Sequence, residues 1–193
     1  MARPPVMLRQ ASRLVPFERS VPAGLKVTAE LIWSDGGLLE LSFGVLSAAA
    51  SGLADLTLPE RLNDGHQPSG QRRDELWTRT CFEAFLGLPN QPHYWEINLA
   101  PNGDWAVYRF DAYREGQSDQ VLSAPPDVRL QRRHHQLRLD ARLDLKPWWP
   151  KNLCPELALT TVLDRGVNGI SHWALRHRGS RADFHDRSTF IQG

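Results

Sequence analysis

Residues 136–145, QLRLDARLDL, decide the fold class. Leu137, Leu139, Ala141, Leu143 and Leu145 take every second position, and Arg138, Asp140, Arg142 and Asp144 fill the places between. A period of two puts the apolar set on one side of an extended chain and the charges on the other. Such a strand has one dry face and one wet face, as strands of antiparallel sheets do.

The same period recurs in both directions. Asp127–Arg133 precedes the stretch, and Glu156–Asp164 and Ile170–His177 follow it. Upstream, Val27, Ala29, Leu31 and Trp33 share one side of Lys26–Trp33; Ser34-Asp35-Gly36-Gly37 signals a turn; Leu39, Leu41, Phe43 and Val45 resume the alternation. That pair reads as a β-hairpin. Phe82, Ala84, Leu86 and Leu88 alternate with Cys81, Glu83, Phe85 and Gly87, and Trp95, Ile97 and Leu99 alternate with Tyr94, Glu96 and Asn98. Pro101-Asn102-Gly103 then turns the chain into Asp104–Phe110, where Ala106, Tyr108 and Phe110 oppose Trp105, Val107 and Arg109. No segment sustains an amphipathic helix. Ala48–Leu58 has room for a turn or two, and Pro59–Arg73, polar and rich in Gly and Pro, reads as a long surface loop. The expectation is an all-β chain, an antiparallel β-sandwich of jelly-roll type with about nine or ten strands, residues 1–193 forming a single domain.

Composition narrows the function. A chain of 193 residues buries one sizeable core without disulfides or metals. A formal net charge of +1 argues against a nucleic-acid partner, whose footprint is a basic excess. Cys81 and Cys154 make no disulfide framework. The N-terminal residues lack the apolar run of a signal peptide, and no stretch is apolar for long enough to span a membrane. These features point to a soluble, cytoplasmic protein with no membrane partner.

Catalytic signatures are weak. There is no G-x-S-x-G elbow, and Asp183, His185 and Ser188 lie close enough in sequence to make turn hydrogen bonds. The seven His carry no metal-ligand spacing, although His177, Asp183 and His185 converge if the loop between them folds back. No catalytic residue, metal or cofactor is therefore expected. The Trp residues say more. A sugar presents flat C–H faces that pack on indole and hydroxyls that seek carboxylate, amide and guanidinium partners. Glu83, Glu96, Asn98, Trp105 and Arg109 are expected to share one outward sheet face and to supply that mixture. Glu83, placed between Cys81 and Phe85, needs a partner such as Arg79 or Arg109. Trp33 and Trp95 keep step with Leu and Ile and read as core, and Trp148 and Trp149, between Pro147 and Pro150, read as a loop plug.

Three strings, RRDELWTRTCFEAFLGL (72–88), YWEINLAPNGDWAVYRFDAYR (94–114) and LTTVLDRGVNGISHWALRHRGSRADFHDRSTF (159–190), resemble bacterial DOMON-like domain proteins, relatives of the family 9 carbohydrate-binding modules. The resemblance implies a β-sandwich with a ligand held on one side. It implies a Trp pair clamping a sugar, for which Trp77 and Trp173 are the counterparts, with Glu83, Asn98 and Arg109 bonding its hydroxyls. Haem-binding DOMON branches use Met and His, whereas Met1 and Met7 lie outside the three strings. The expected site is thus Trp77, Glu83, Asn98, Trp105, Arg109 and Trp173. The expected function is a non-catalytic module for a small carbohydrate or related polar ligand. The alternatives are a hydrolase acting on a sugar-like substrate through Glu83 or the Asp183/His185 pair, and a module that meets a protein partner.

Overall fold

The computed structural model describes residues 4–59 and 70–192. Residues 60–69, most of the expected Pro59–Arg73 loop, lie outside the described residues. Twelve strands form in chain order: β1 (Val6–Pro16), β2 (Leu25–Ser34), β3 (Leu38–Ser47), β4 (Cys81–Gly87), β5 (Tyr94–Leu99), β6 (Trp105–Phe110), β7 (Ser118–Asp119), β8 (Asp127–Arg133), β9 (Gln136–Asp144), β10 (Glu156–Asp164), β11 (Ile170–Ala174) and β12 (Ile191–Gln192). Each pairing between them is antiparallel, and the lateral order is β7-β6-β5-β4-β10-β11-β1-β2-β3-β9-β8, with β12 attached to β10. Helix is limited to three-residue 3-10 turns among the described residues, and none is long and apolar enough to cross a membrane.

The sheet curls so that its two halves face each other across a core. Val27, Leu31, Phe43, Leu139 and Leu143 come from one half; Phe82, Leu86, Ile97, Leu159 and Trp173 come from the other. The β2–β3 hairpin pairs from Leu25–Ser47 to Ser34–Leu38, and Gly36 and Gly37, at φ of 77° and 80°, supply the left-handed backbone that its turn requires. Trp148 and Trp149 plug one end of the core: Trp149 lies 4.9 Å from Trp33, and Trp148 lies 4.9 Å from Trp95. Each such ring contact adds about 0.5–1.5 kcal/mol beyond the area it buries.

The strand count exceeds the expected nine or ten because β1 and the two-residue strands β7 and β12 carry no strong alternation. β1 runs along β2 from Val6 to Leu14, then meets β11 through Val15 and Pro16, joining the two halves. Its inward positions include Gln10 and Ser12, which bond each other at 2.6 Å, so the apolar period is broken in mid-strand. Ala48–Leu58 is a succession of tight turns that buries Leu53 and Leu56, with no helix.

Unlike β9, the strands β4 and β5 are buried at every residue. Their second face carries its own apolar cluster of Phe85, Tyr94, Tyr108, Phe110, Ala158 and Phe190, with Leu76 and Phe184 packed on it. The cover is the chain from 175 to 190 and the 3-10 turn Leu76–Thr78. Arg187 pins the cover: it donates to the Leu88, Gln91 and His93 carbonyls and pairs with Glu156 at 2.5 Å. Its guanidinium occupies the space above Gly87, where a Cβ would approach to 2.5 Å.

Candidate functional site

Between this second face and its cover lies a cavity of about 330 Å³. The strands contribute Glu83 and Phe85 from β4, Glu96 from β5, Phe110 from β6, Val162 from β10 and His172 from β11; the cover contributes Trp77, Ala182, Phe184 and His185, and the connection between β6 and β7 contributes Arg114 and Gln117. The register explains the convergence. Glu83 pairs with Asn98 and with Thr160, while Glu96 pairs with Phe85 one step along the same face, so the two carboxyls are diagonal neighbours.

Both carboxyls are withdrawn from water, Glu83 at 1% exposure and Glu96 at 5%. Glu96 Oε1 accepts a hydrogen bond from Asn98 Nδ2 at 2.7 Å, and Glu83 Oε2 accepts one from Thr160 Oγ1 at 3.0 Å. Glu83 Oε1 has no hydrogen-bond partner among the described residues. The expected arginine partner is not there: Arg109 turns to Asp111 on the other side of β6. Burial first, and then the charge of Glu96, push Glu83 up to about 8, with Thr160 and the Cys81 thiol only partly opposing. Burial likewise lifts Glu96 to about 7, against the pull of Asn98 and Arg114. At neutral pH the pair therefore holds a proton that isolated carboxylates would release.

His185 sits edge-on to Phe85, Tyr94 and Phe110, with ring centroids 5.1–5.8 Å away. Burial, reinforced by the charge of Arg114, lowers it to about 4, so the imidazole is neutral. The Tyr94 hydroxyl accepts the Arg114 backbone N–H at 3.2 Å and lies 2.7 Å from His185 Nδ1. Its own proton is thus free to go to Nδ1, which leaves the His185 proton on Nε2, facing Glu96 Oε2 at 3.7 Å. With a neutral ring and that separation, the approach is a long polar contact and not an ion pair.

Arg114 forms the charged rim. Its Nη2 donates to Asp183 Oδ1 at 3.0 Å, and the Tyr113 hydroxyl donates to Oδ2 at 2.6 Å. On the opposite rim, Glu18 accepts from the His172 backbone N–H at 2.7 Å and contacts Nδ1 at 2.6 Å. Four residues other than Gly have positive φ among those described: Glu75, Asn90, Arg114 and Asn152. Asn tolerates this region, but Glu75 (59°) and Arg114 (56°) do so at a cost; Arg114 lines the cavity, and Glu75 starts the turn that presents Trp77.

Of the residues expected from sequence, the structure brings together Trp77, Glu83 and Asn98, with Glu96 of the expected outward face beside them. Trp77 is 39% exposed at the mouth, its ring edge-on to Tyr108 at 6.1 Å. Trp105, Arg109 and Trp173 are elsewhere. β6 is turned opposite to the expected sense, with Ala106, Tyr108 and Phe110 facing the cavity side, so Trp105 packs toward the core and donates to the Gly70 carbonyl at 3.3 Å. Trp173 is 1% exposed inside the core, donating to Ser171 Oγ at 3.0 Å. Arg114, His172 and Phe184 are additions that local periodicity does not announce. Among the described residues no three His, Cys, Asp or Glu converge as metal ligands; His177 Nε2 instead meets the Val15 carbonyl at 2.9 Å.

No protein-family model matches the chain, and no curated protein matches it significantly. Among solved structures it is similar to a crystal structure from Bacteroides uniformis described as a "putative carbohydrate-binding protein", with a TM-score of 0.63 and 12% identity over 94% of this chain and 84% of that one. At that identity, the likeness is one of fold.

Proposed function

We propose that the chain is a non-catalytic binding protein for a small carbohydrate, held in the cavity between β4–β5–β6 and the 175–190 segment. The observation that carries this reading is Glu83 Oε1, a buried carboxyl oxygen without a partner among the described residues, on a side chain that lines a cavity whose mouth displays an indole. An unanswered buried acceptor costs on the order of 1–3 kcal/mol, which a ligand hydroxyl placed there recovers. A volume of about 330 Å³ suits one or two sugar rings. Trp77 offers the flat apolar face, and Glu83, Glu96 and Arg114 offer the polar edge. The carbohydrate-binding description of the fold neighbour supports the same reading, as does the resemblance of the three strings to DOMON-like proteins and family 9 modules.

Trp77 also supplies the test, because Trp33, Trp95, Trp149 and Trp173 are buried away from the cavity. Titration with a panel of mono- and disaccharides should give a saturable change in Trp fluorescence that Trp77→Phe abolishes. No change and no heat from any sugar would end the reading and direct attention to a protein partner.

One observation favours hydrolysis as a second reading: two carboxyls with raised pKa are diagonal neighbours on one face. Glycosidases use two carboxyls about 5–9.5 Å apart. Turnover of aryl glycosides that disappears in Glu83→Gln would establish it over simple binding.

A further inference from the structure

The cavity holds more negative charge than a neutral sugar needs. Two carboxyls face it, and the charged groups around them are already matched: Arg114 is committed to Asp183, and Glu18 to His172. Glu83 lines the space, and its buried Oε1 has no hydrogen-bond partner among the described residues. A sugar hydroxyl bonds one such oxygen but leaves the negative charge that the proton-sharing pair retains buried without a countercharge, an arrangement the interior disfavours. An ammonium group supplies both the missing charge and three donors. The walls suit a cation as well, since Trp77, Phe110 and Phe184 line the same space. A divalent metal is the rival occupant, but no third acidic, His or Cys ligand joins the pair among the described residues.

We infer that the pocket selects a carbohydrate bearing a free amino group, its ammonium seated on Glu83 Oε1 beside Glu96 and its ring against Trp77. The inference rests on the carbohydrate reading and narrows it to amino sugars. Hydrogen bonds from the ammonium complete Glu83, while Glu96, already bonded by Asn98, shares the pair's negative charge with it.

Calorimetric titration of the full chain with glucosamine, galactosamine and mannosamine tests this against the parent hexoses, the N-acetyl derivatives and cyclohexylamine. One amino sugar should bind at least about tenfold tighter than its parent hexose, and N-acetylation, which keeps the nitrogen but removes the charge, should erase that gain. Glu83→Gln should lose the preference, and Glu96→Gln should reduce it, with thermal melts confirming that both variants are folded. Equal affinity for an amino sugar and its parent hexose overturns the inference and leaves the carbohydrate reading standing. Cyclohexylamine binding as tightly as any amino sugar keeps the ammonium site but overturns the carbohydrate reading. Absence of heat from every probe overturns both.

Discussion

Replacing Glu83 by Gln should stabilise the protein above about pH 5, and increasingly so as the pH rises to about 8. Burial and the charge of Glu96 raise Glu83 from 4.5 to about 8 in the folded chain. Unfolding returns it to an ordinary carboxylate, so the unfolded chain loses this proton first as pH rises. The stability due to the protonated group is complete below pH 4.5, declines through the interval up to about 8, and is gone above it. One unit of difference is about 1.4 kcal/mol, and the full interval is on the order of a few kcal/mol once the sharing of charge with Glu96 is allowed for. Gln keeps the shape, still accepts from Thr160, and never ionises. Near pH 5 the two proteins should melt together. At pH 9 the variant should melt about 5–10 °C higher, taking about 2–4 °C per kcal/mol for a chain of this size. Near-UV circular dichroism melts at half-unit pH steps would follow the divergence. Parallel curves across the whole interval would refute the argument, because Glu83 would then titrate as an exposed carboxylate does.

Three further outcomes follow from other parts of the molecule. Trp173→Ala should cost about 3–5 kcal/mol through the cavity left in the core, whereas Trp77→Ala, at the mouth, should cost under about 1 kcal/mol while removing the fluorescence response; denaturant midpoints give both values. Because His185 is lowered to about 4, its contribution is present above its ordinary value of 6.5 and is lost as pH falls through 4; His185→Phe should flatten the acid limb of the stability profile, read from melts between pH 7 and 3.5. Arg187→Met should free the 175–190 cover, at about 3 kcal/mol for leaving Glu156 without its partner, and hydrogen exchange in that segment should accelerate before exchange in β2 or β3.

The hairpins were legible because their strands keep one face wet. β9 alternates cleanly, and so do β2 and β3, since solvent lies on the far side of each. β4 and β5 follow a different logic: the cover dries their second face, so a carboxylate such as Glu83 stands out only as an oddity among apolar neighbours. That oddity was readable, and it marked the cavity. The sense of β6 was not, because Trp105 and Tyr108 are equally plausible as core when both faces of a strand are buried. Trp173 misled for a related reason, since an indole on a strand fits a sugar platform or a core with equal ease. His185 and Phe184 reach the site from a segment with no period at all, where position is set by the neighbouring Arg187 anchoring on Gly87 and Leu88, far away in sequence.

β1 belongs to both halves of the sheet, and it has neighbours on each side along its length or at its end. The true margins of the hydrogen-bonded path are β7, two residues long, and β8, studded with Asp127, Arg129, Arg132 and Arg133. A short margin and a charged one resist the addition of strands from other molecules. Loss of residues 6–16 would create two new margins at once, along β2 and β11, over a core rich in leucine. The N-terminal strand is in that sense a seam, and the solubility of everything it joins depends on its staying closed.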